Sequence, residues 1–285
     1  PSTEYPPMNR ILVLLLAVLF SELLRGAPVV VFVSIPTGLE PVVEIGGNAI
    51  EARSLLTTSG SPESFHPDAR TLSALGRSRL FISIGAPYEE ALLPKLRSAY
   101  PGLEIADGAQ GMSRRTFPDG GEDPHVWLSA ENMLRYSENV AAALSRILPE
   151  KADYFKGNLD RYCGKLRGVH EANLKRLAFL RGGTVLVYHP AFGYFLGEHG
   201  IEQLAIEEEG KEPTGGSLQA SMRRARERGL PAIFVQPRFS ERSARILAKE
   251  LKCRVISLDP LPSSLVEGLS AIGEAIERAY RPVEK

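Results

Sequence analysis

From Val29 onward, short apolar runs alternate with longer amphipathic runs along the chain. Short runs rich in β-branched and aromatic residues are typical of buried strands, whereas apolar residues spaced three and four apart are typical of helices. In the first half this pattern predicts strands at 29–34, 52–57, 79–84 and 103–106, and helices at 39–45, 68–77 and 88–99. In the second half it predicts strands at 184–188, 203–206, 232–236 and 254–258, and helices at 191–199, 217–228, 240–251 and 263–280.

The middle of the chain lacks strand patterns and predicts two consecutive helices. The first covers 130–148 and is stopped by Pro149, and the second covers 150–180. If the second helix is continuous, its roughly 30 residues make a rod of about 45 Å. Three glycines inside it either weaken it or mark close packing against a neighbour: Gly157, Gly164 and Gly168.

Strands that alternate with helices favour βαβ units and parallel sheets covered on both faces. The sequence therefore predicts an α/β fold of two similar parallel-sheet lobes joined by a long rigid helix, an arrangement that suits a binding cleft. The expected divisions are a leader at 1–27, a first lobe at 28–128, linking helices at 129–181 and a second lobe at 182–285. A stretch rich in glycine and polar residues, 107–123, is predicted to be a surface loop.

The N-terminal residues have the pattern of a secretory signal. Asn9 and Arg10 precede an apolar run at 11–20, and small residues end the segment at Ala27. Ten apolar residues are too few to span a bilayer comfortably. No cysteine follows the run, so lipid attachment there is not expected, and we expect a soluble exported protein.

Charge and cysteine content exclude several classes of function. The 34 basic and 34 acidic residues balance to a formal net charge of zero, so nothing favours long-range attraction to nucleic acid or anionic lipid. The two cysteines, Cys163 and Cys253, are too few for a disulfide framework and lack zinc-finger spacing. They are either free or joined in one long-range bridge.

Candidate metal ligands follow the predicted strands of both lobes. Ligands of open parallel sheets bind beyond the carboxyl ends of the strands. In the second lobe, His189 directly follows the strand at 184–188, and Asp259 directly follows the strand at 254–258. Both residues are therefore expected on one rim of that lobe.

The first lobe supplies three further candidates. Glu63 and His66 follow its second predicted strand after a tight turn, and His125 lies in the segment that leaves the lobe. Two or more ligands from each lobe would hold one ion in the cleft. Imidazole with carboxylate suits zinc, and also manganese or iron as the oxygen share rises. Three histidines and an aspartate could form a closed tetrahedral zinc site.

Each candidate also has a structural interpretation. A single histidine beside a strand is more often a hydrogen-bonded structural residue than a ligand, and Asp259 before Pro260 can simply form a turn. His170, inside the long helix, and His199, at a helix end, are assigned to structural roles.

Six motifs in order resemble a known family over nearly the whole chain. They are Gly60-Ser61-Pro62-Glu63-Ser64-Phe65-His66-Pro67, Asp123-Pro124-His125-Val126-Trp127-Leu128, Tyr188-His189-Pro190-Ala191-Phe192-Gly193-Tyr194-Phe195, Glu209-Gly210-Lys211-Glu212-Pro213, Phe234-Val235-Gln236-Pro237-Arg238-Phe239-Ser240 and Leu258-Asp259-Pro260-Leu261. The chain resembles the zinc- and manganese-binding substrate-binding proteins of bacterial ABC importers. The resemblance implies that His125, His189 and Asp259 are metal ligands.

Two features depart from the family pattern. Family members commonly have Ser-Pro-His in the first motif, where this chain has Ser-Pro-Glu with a histidine three residues later. Either Glu63 supplies a carboxylate in the usual place, or His66 reaches in from the next turn. The stretch at 107–123 also lacks the histidine-rich insertion that zinc-specific members often carry.

The resemblance implies a transport function rather than catalysis. The protein would bind a divalent ion in the periplasm as transported ligand, Zn²⁺ first and Mn²⁺ second, and deliver it as a monomer to an ABC permease in the inner membrane. One alternative is a zinc-dependent hydrolase with Glu63 as base, although the chain has no His-Glu-x-x-His pair. The other is a two-lobed binder of an organic solute in which the histidines are structural.

Overall fold

The structure is a computed structural model that describes residues 27–57, 60–117, 120–207, 215–237 and 241–281. The predicted secretory leader at 1–27 lies outside the described residues except for Ala27. Within the described part of the chain, no helix combines the length and the apolar character needed to cross a membrane.

A parallel four-stranded sheet forms the centre of the first lobe, with strand order β2-β1-β3-β4. Its strands are β1 (Val29–Val33), β2 (Ile50–Ser54), β3 (Leu80–Ser83) and β4 (Glu104–Asp107), and its helices are α1 (Leu39–Gly46), α2 (Ala69–Gly76) and α3 (Glu89–Ala99). β1 and β3 are the central strands, and their apolar side chains are largely buried. Asp68 caps α2 by accepting a hydrogen bond from the Thr71 amide at 2.6 Å.

The sequence predicted a surface loop at 107–123, but this segment is only partly a loop. It contains an antiparallel pair of short strands, β5 (Arg115–Thr116) and β6 (Glu122–Asp123). The backbone amide of Arg115 also donates a hydrogen bond of 2.9 Å to the hydroxyl of Tyr194 in the second lobe. Pairing with β5 therefore holds Asp123 in place two residues before His125.

Two helices follow the first lobe, α4 (Ala130–Ile147) and α5 (Ala152–Arg176). The predicted helix at 150–180 is shorter than expected because its ends are the 3-10 turns Pro149–Lys151 and Ala178–Leu180, so that α5 has 25 residues and a length of about 37 Å. A side chain built at Gly164 or Gly168 would have no neighbour within 4 Å. The alternative that these two glycines mark close packing against a neighbour is therefore wrong.

The second lobe repeats the connectivity of the first, with strand order β10-β9-β7-β8 and all strands parallel. Its strands are β7 (Thr184–Val187), β8 (Glu202–Ala205), β9 (Ala232–Val235) and β10 (Arg254–Ser257), and its helices are α6 (Gly193–Glu198), α7 (Gly215–Glu227), α8 (Glu241–Leu251) and α9 (Leu265–Tyr280). The α/β fold with two parallel sheets and a long helix is thus confirmed.

Helix α5 packs against elements from both ends of the chain. It contacts α1 of the first lobe, the neighbouring α4 and the final helix α9. Phe155, Tyr162 and Leu166 of α5 belong to a continuous apolar core that includes residues of both sheets. The burial of one helix in a shared core holds the two sheets in a defined relative position.

Candidate metal centre

Glu63, His125 and His189 bring three ligand atoms together between the lobes. The two Nε2 atoms of His125 and His189 lie 3.2 Å apart. Glu63 Oε1 lies 3.6 Å from Nε2 of His125 and 3.7 Å from Nε2 of His189. Two imidazole nitrogens and a carboxylate oxygen that converge at these distances can hold a divalent cation.

His125 is buried and its ring is oriented by Asp123. The Asp123 carboxylate accepts hydrogen bonds from the His125 backbone amide at 3.0 Å and from ring Nδ1 at 2.7 Å. This pairing leaves Nε2 free to face the other two ligands. The ring also makes an edge contact with Trp127, with centroids 5.3 Å apart, which limits its rotation.

His189 is oriented in the same manner by a carboxylate of its own lobe. Its Nδ1 lies 2.7 Å from Oε2 of Glu207, and only 12% of its side chain is exposed. Burial alone would lower the pKa of His189, but the carboxylates of Glu207 and Glu63 outweigh it and raise the pKa to about 9. The imidazole is therefore held in an acidic environment that favours positive charge.

Glu63 enters the cleft from the turn that follows β2. Its carboxylate accepts a hydrogen bond from the Ser61 hydroxyl two residues earlier. Burial by itself would raise the pKa of Glu63, but the two imidazoles and the Ser61 hydroxyl lower this pKa well below its usual range. Glu63 is therefore a carboxylate, the form that binds metal ions.

Asp259 lines the same cavity but lies outside the group of three converging ligand atoms. The cavity has a volume of about 300 Å³ and is also lined by Glu63 and His125. One oxygen of Asp259 accepts a hydrogen bond from the Leu261 amide at 2.9 Å, as in the predicted turn. Trp127 Nε1 donates a hydrogen bond of 2.7 Å to the Pro260 carbonyl, so the loops that carry His125 and Asp259 are joined.

His66 lies outside the group of converging ligand atoms and its side chain is exposed. The preceding residue, Phe65, packs edge-on against Tyr88 with ring centroids 5.0 Å apart. This contact fixes the chain just after Glu63. Of the two alternatives in the first motif, the structure places Glu63 beside the two imidazoles.

The remaining histidines lie apart from this centre. His199 has Nδ1 2.6 Å from the Phe195 carbonyl, and His170 has Nδ1 3.6 Å from the Glu198 carboxylate. The structural roles suggested by the sequence for these two histidines stay a prediction.

Two carboxylates of the centre were not identified from sequence, Asp123 and Glu207. Asp123 was quoted only as part of a motif, although an aspartate two residues before a histidine can reach its ring. Glu207 follows β8 as His189 follows β7, and these two strands are paired neighbours. Adjacent parallel strands that both end in a polar residue are the signal that could have located it.

Comparison with known proteins identifies a matching family model and similar solved structures. The model described as ZnuA, the periplasmic component A of a zinc-uptake complex, matches residues 31–272. A crystal structure of ZnuA superposes on this chain with a TM-score of 0.84 and 28% identity, and the match covers 88% of this chain and 99% of that one.

Two curated relatives are similar over different lengths. The zinc-binding protein AdcA of Streptococcus pyogenes serotype M6 is 30% identical over 141 residues, which cover 49% of this chain and 27% of AdcA. The high-affinity zinc uptake system protein ZnuA of Bacillus subtilis is 24% identical over 234 residues, which cover 76% of this chain and 72% of the relative. This chain therefore matches only about a quarter of the length of AdcA.

Proposed function

Because this chain belongs to the ZnuA family of periplasmic zinc-uptake components, we propose that it binds a divalent transition metal ion in the periplasm and delivers it to an ABC permease of the inner membrane. The observation that carries the proposal is the convergence of Glu63 with the two largely buried imidazoles of His125 and His189. All of the proposed ligands come from one chain, so the proposed site needs no second copy of the protein, in keeping with a protein that acts as a monomer.

The proposed ligands are Glu63, His125, His189 and Asp259. The first three have ligand atoms close enough to share one ion. Asp259, which lines the same cavity, is proposed as the fourth ligand. Glu63 rather than His66 completes the set because Glu63 Oε1 lies 3.6 and 3.7 Å from the two imidazole Nε2 atoms, whereas His66 is not among the converging groups.

Zinc is the favoured ion and manganese the second. Two imidazoles with two carboxylates suit either metal, but a site of this kind binds zinc more tightly than manganese by the general order of stability of divalent complexes. A solved structure of a ZnuA deletion mutant, 28% identical to this chain, has zinc bound, which supports zinc as the first choice.

The two alternative functions have less support. A zinc-dependent hydrolase would need Glu63 as a free base, whereas its carboxylate lies within 3.7 Å of both imidazole Nε2 atoms and is better suited to binding metal. A binder of organic solutes would use the cavity itself. Its converging imidazoles and carboxylates favour a cation.

The proposal is tested by stripping the purified full chain with a chelator, reloading it with Zn²⁺ or Mn²⁺, and measuring bound metal by elemental analysis. We expect about one zinc ion per chain and weaker retention of manganese. The double variant His125→Ala/His189→Ala is the control and should retain almost none. Failure of the wild-type protein to retain either metal would refute the proposal.

A further inference from the structure

Glu198, at the end of α6 in the second lobe, caps a helix that packs on the first lobe. Its carboxylate accepts hydrogen bonds from the backbone amides of Ala130 at 3.1 Å and Glu131 at 3.2 Å, and from the Ser129 hydroxyl. These groups form the N-terminus of α4, which contacts α1, β3 and β4. A helix N-terminus has unpaired amides and a partial positive charge, and both are satisfied by a carboxylate.

Glu40 makes the corresponding contact in the opposite direction. It lies in α1 of the first lobe, and its Oε2 accepts hydrogen bonds from the amides of Val266, at 3.0 Å, and Leu265. These amides form the N-terminus of α9, the last helix of the second lobe. Each lobe therefore supplies one carboxylate that caps a helix of the other side of the molecule.

Both capped helices begin where a loop with a proposed metal ligand ends. The segment from His125 runs through the turn Val126–Leu128 into α4, and the segment from Asp259 runs through Pro260 into α9. The hydrogen bond from Trp127 to the Pro260 carbonyl joins the two segments. The far end of each ligand loop is thus anchored to the opposite lobe.

Anchoring by a partly buried carboxylate is stronger than an ordinary surface contact. Glu198 has 12% of its side chain exposed, and Glu40 is partly buried. Hydrogen bonds from amides to an ionised acceptor are roughly twice as strong as bonds between neutral groups. Loss of either cap would leave amides at a helix N-terminus without a partner and would free the loop before it.

We propose that Glu40 and Glu198 are positioning residues that hold the loops of Asp259 and His125 in place across the cleft, and so control how fast the bound metal escapes. This inference rests on the proposed metal-binding function. In this proposal neither residue touches the ion. Each acts only by holding the loop that carries a proposed ligand.

The first test compares the zinc dissociation rates of Glu40→Ala and Glu198→Ala with that of the wild-type full chain, using capture by a chromophoric chelator. We expect release to be about tenfold faster, a ratio within the range for loss of a helix cap. Glu40→Gln should release zinc more slowly than Glu40→Ala but faster than wild type, because the amide oxygen can accept both bonds without the negative charge.

Matched controls remove a glutamate from the same regions without removing a cap. Glu44→Gln changes an exposed carboxylate of α1 that pairs with Lys165, and Glu202→Gln changes one in β8 that pairs with Arg228. Neither should alter zinc release. The visible absorption spectrum of the Co²⁺-loaded protein adds a readout of ligand geometry, and it should shift in the two alanine variants alone.

Glu40→Asp and Glu198→Asp keep the charge but withdraw the carboxylate by one methylene. If the alanine variants do not fold, these two variants provide the test. Unchanged release rates and unchanged Co²⁺ spectra in folded variants would overturn the inference while the metal-binding function stands. A wild-type protein that retains no zinc would overturn both.

Discussion

At the residue scale, each imidazole of the metal centre has one ring nitrogen paired with a carboxylate and the other turned toward the cleft. Asp123 pairs with His125 and Glu207 pairs with His189, in both cases through Nδ1 at 2.7 Å. Such pairs fix the tautomer and orientation of a ligating histidine and increase its basicity. The same arrangement in the two lobes turns both Nε2 atoms toward the place where we propose that one ion binds.

Substitution of the two candidates in the first motif should have opposite results. Glu63→Ala removes a converging ligand atom, so we expect zinc affinity to fall by at least about 100-fold, more than the loss of an outer partner usually costs. His66→Ala removes an exposed ring three residues later and should leave the affinity unchanged. Isothermal titration of both variants checks this, and a strong loss in His66→Ala would contradict the assignment of Glu63.

Zinc binding should release a proton near neutral pH. The carboxylates raise the pKa of His189 from 6.5 to about 9, so the protein without metal carries a proton on this ring at pH 7. A metal ion requires the neutral ring. We therefore expect zinc affinity to rise as the pH increases toward 9, and the measured binding enthalpy to depend on the ionisation enthalpy of the buffer.

The same shift in pKa predicts an effect on the stability of the protein without metal. Because the folded pKa of His189 lies above its unfolded value of 6.5, the charged ring stabilises the fold fully below pH 6.5 and loses this contribution as the pH rises through 9. Chemical denaturation at several pH values measures the contribution by comparison with Glu207→Gln. For the preceding prediction on zinc binding, a binding enthalpy at pH 7 that does not change with the buffer would argue against a protonated His189.

At the element scale, α5 combines a buried apolar side with an exposed side that carries glycine. Phe155, Tyr162 and Leu166 are fully buried, whereas Gly164 and Gly168 are exposed. Glycine in a helix interior costs conformational entropy without a compensating contact here. The length of α5 is therefore maintained by burial of one side rather than by helix propensity.

Alanine at these two positions should stabilise the protein. Nothing lies within 4 Å of a side chain built at Gly164 or Gly168, so each substitution is expected to raise the free energy of unfolding by about 0.5–1 kcal/mol. Gly273→Ala in α9 provides the contrast, because its methyl group would collide with Asn173. Asn173 is held by its own hydrogen bond to the Leu269 carbonyl at 2.8 Å.

Urea denaturation of the three variants measures these changes. Gly164→Ala and Gly168→Ala should unfold at higher urea concentration than wild type and Gly273→Ala at lower. Destabilisation by alanine at Gly164 would indicate a packing partner for the exposed side of α5.

At the scale of the whole molecule, the two lobes are connected by a shared core and not only by the chain between them. Helix α5 packs on α1, α4 and α9, and one apolar cluster includes residues of both sheets. Hinge motion would require this core to open. The position of the cleft is therefore set by packing, and changes on metal binding are expected in the loops.

Small-angle X-ray scattering should give the same radius of gyration for the chelator-stripped and zinc-loaded protein. A large closure would need α5 to separate from α1 or α9, which would expose apolar surface at about 25 cal/mol for each Å². The His125→Ala/His189→Ala variant, measured with and without zinc, controls for effects of the metal outside the cleft. A clear decrease in radius on loading of the wild type alone would contradict a rigid core.

The sequence was sufficient for the alternation of strands and helices, because burial on one or both faces imposes its own periodicity on the chain. All eight predicted strands form, although the strand expected at 52–57 lies at Ile50–Ser54. The residues that follow it, Leu55 and Leu56, are apolar and buried without being strand residues. Apolar character alone could not distinguish the residues of the strand from the buried residues that follow it.

The sequence also determined which residue types follow the strands, and so where a metal ligand could come from in each lobe. Only the tertiary structure brought Glu63 rather than His66 to the two imidazoles, paired Glu207 with His189, and placed Glu40 and Glu198 on helices of the opposite side. These contacts join residues distant in the chain, up to 226 positions apart for Glu40 and Val266. Periodicity reports the face on which a residue lies, whereas the direction of a loop and the partner across a cleft depend on how the lobes pack together.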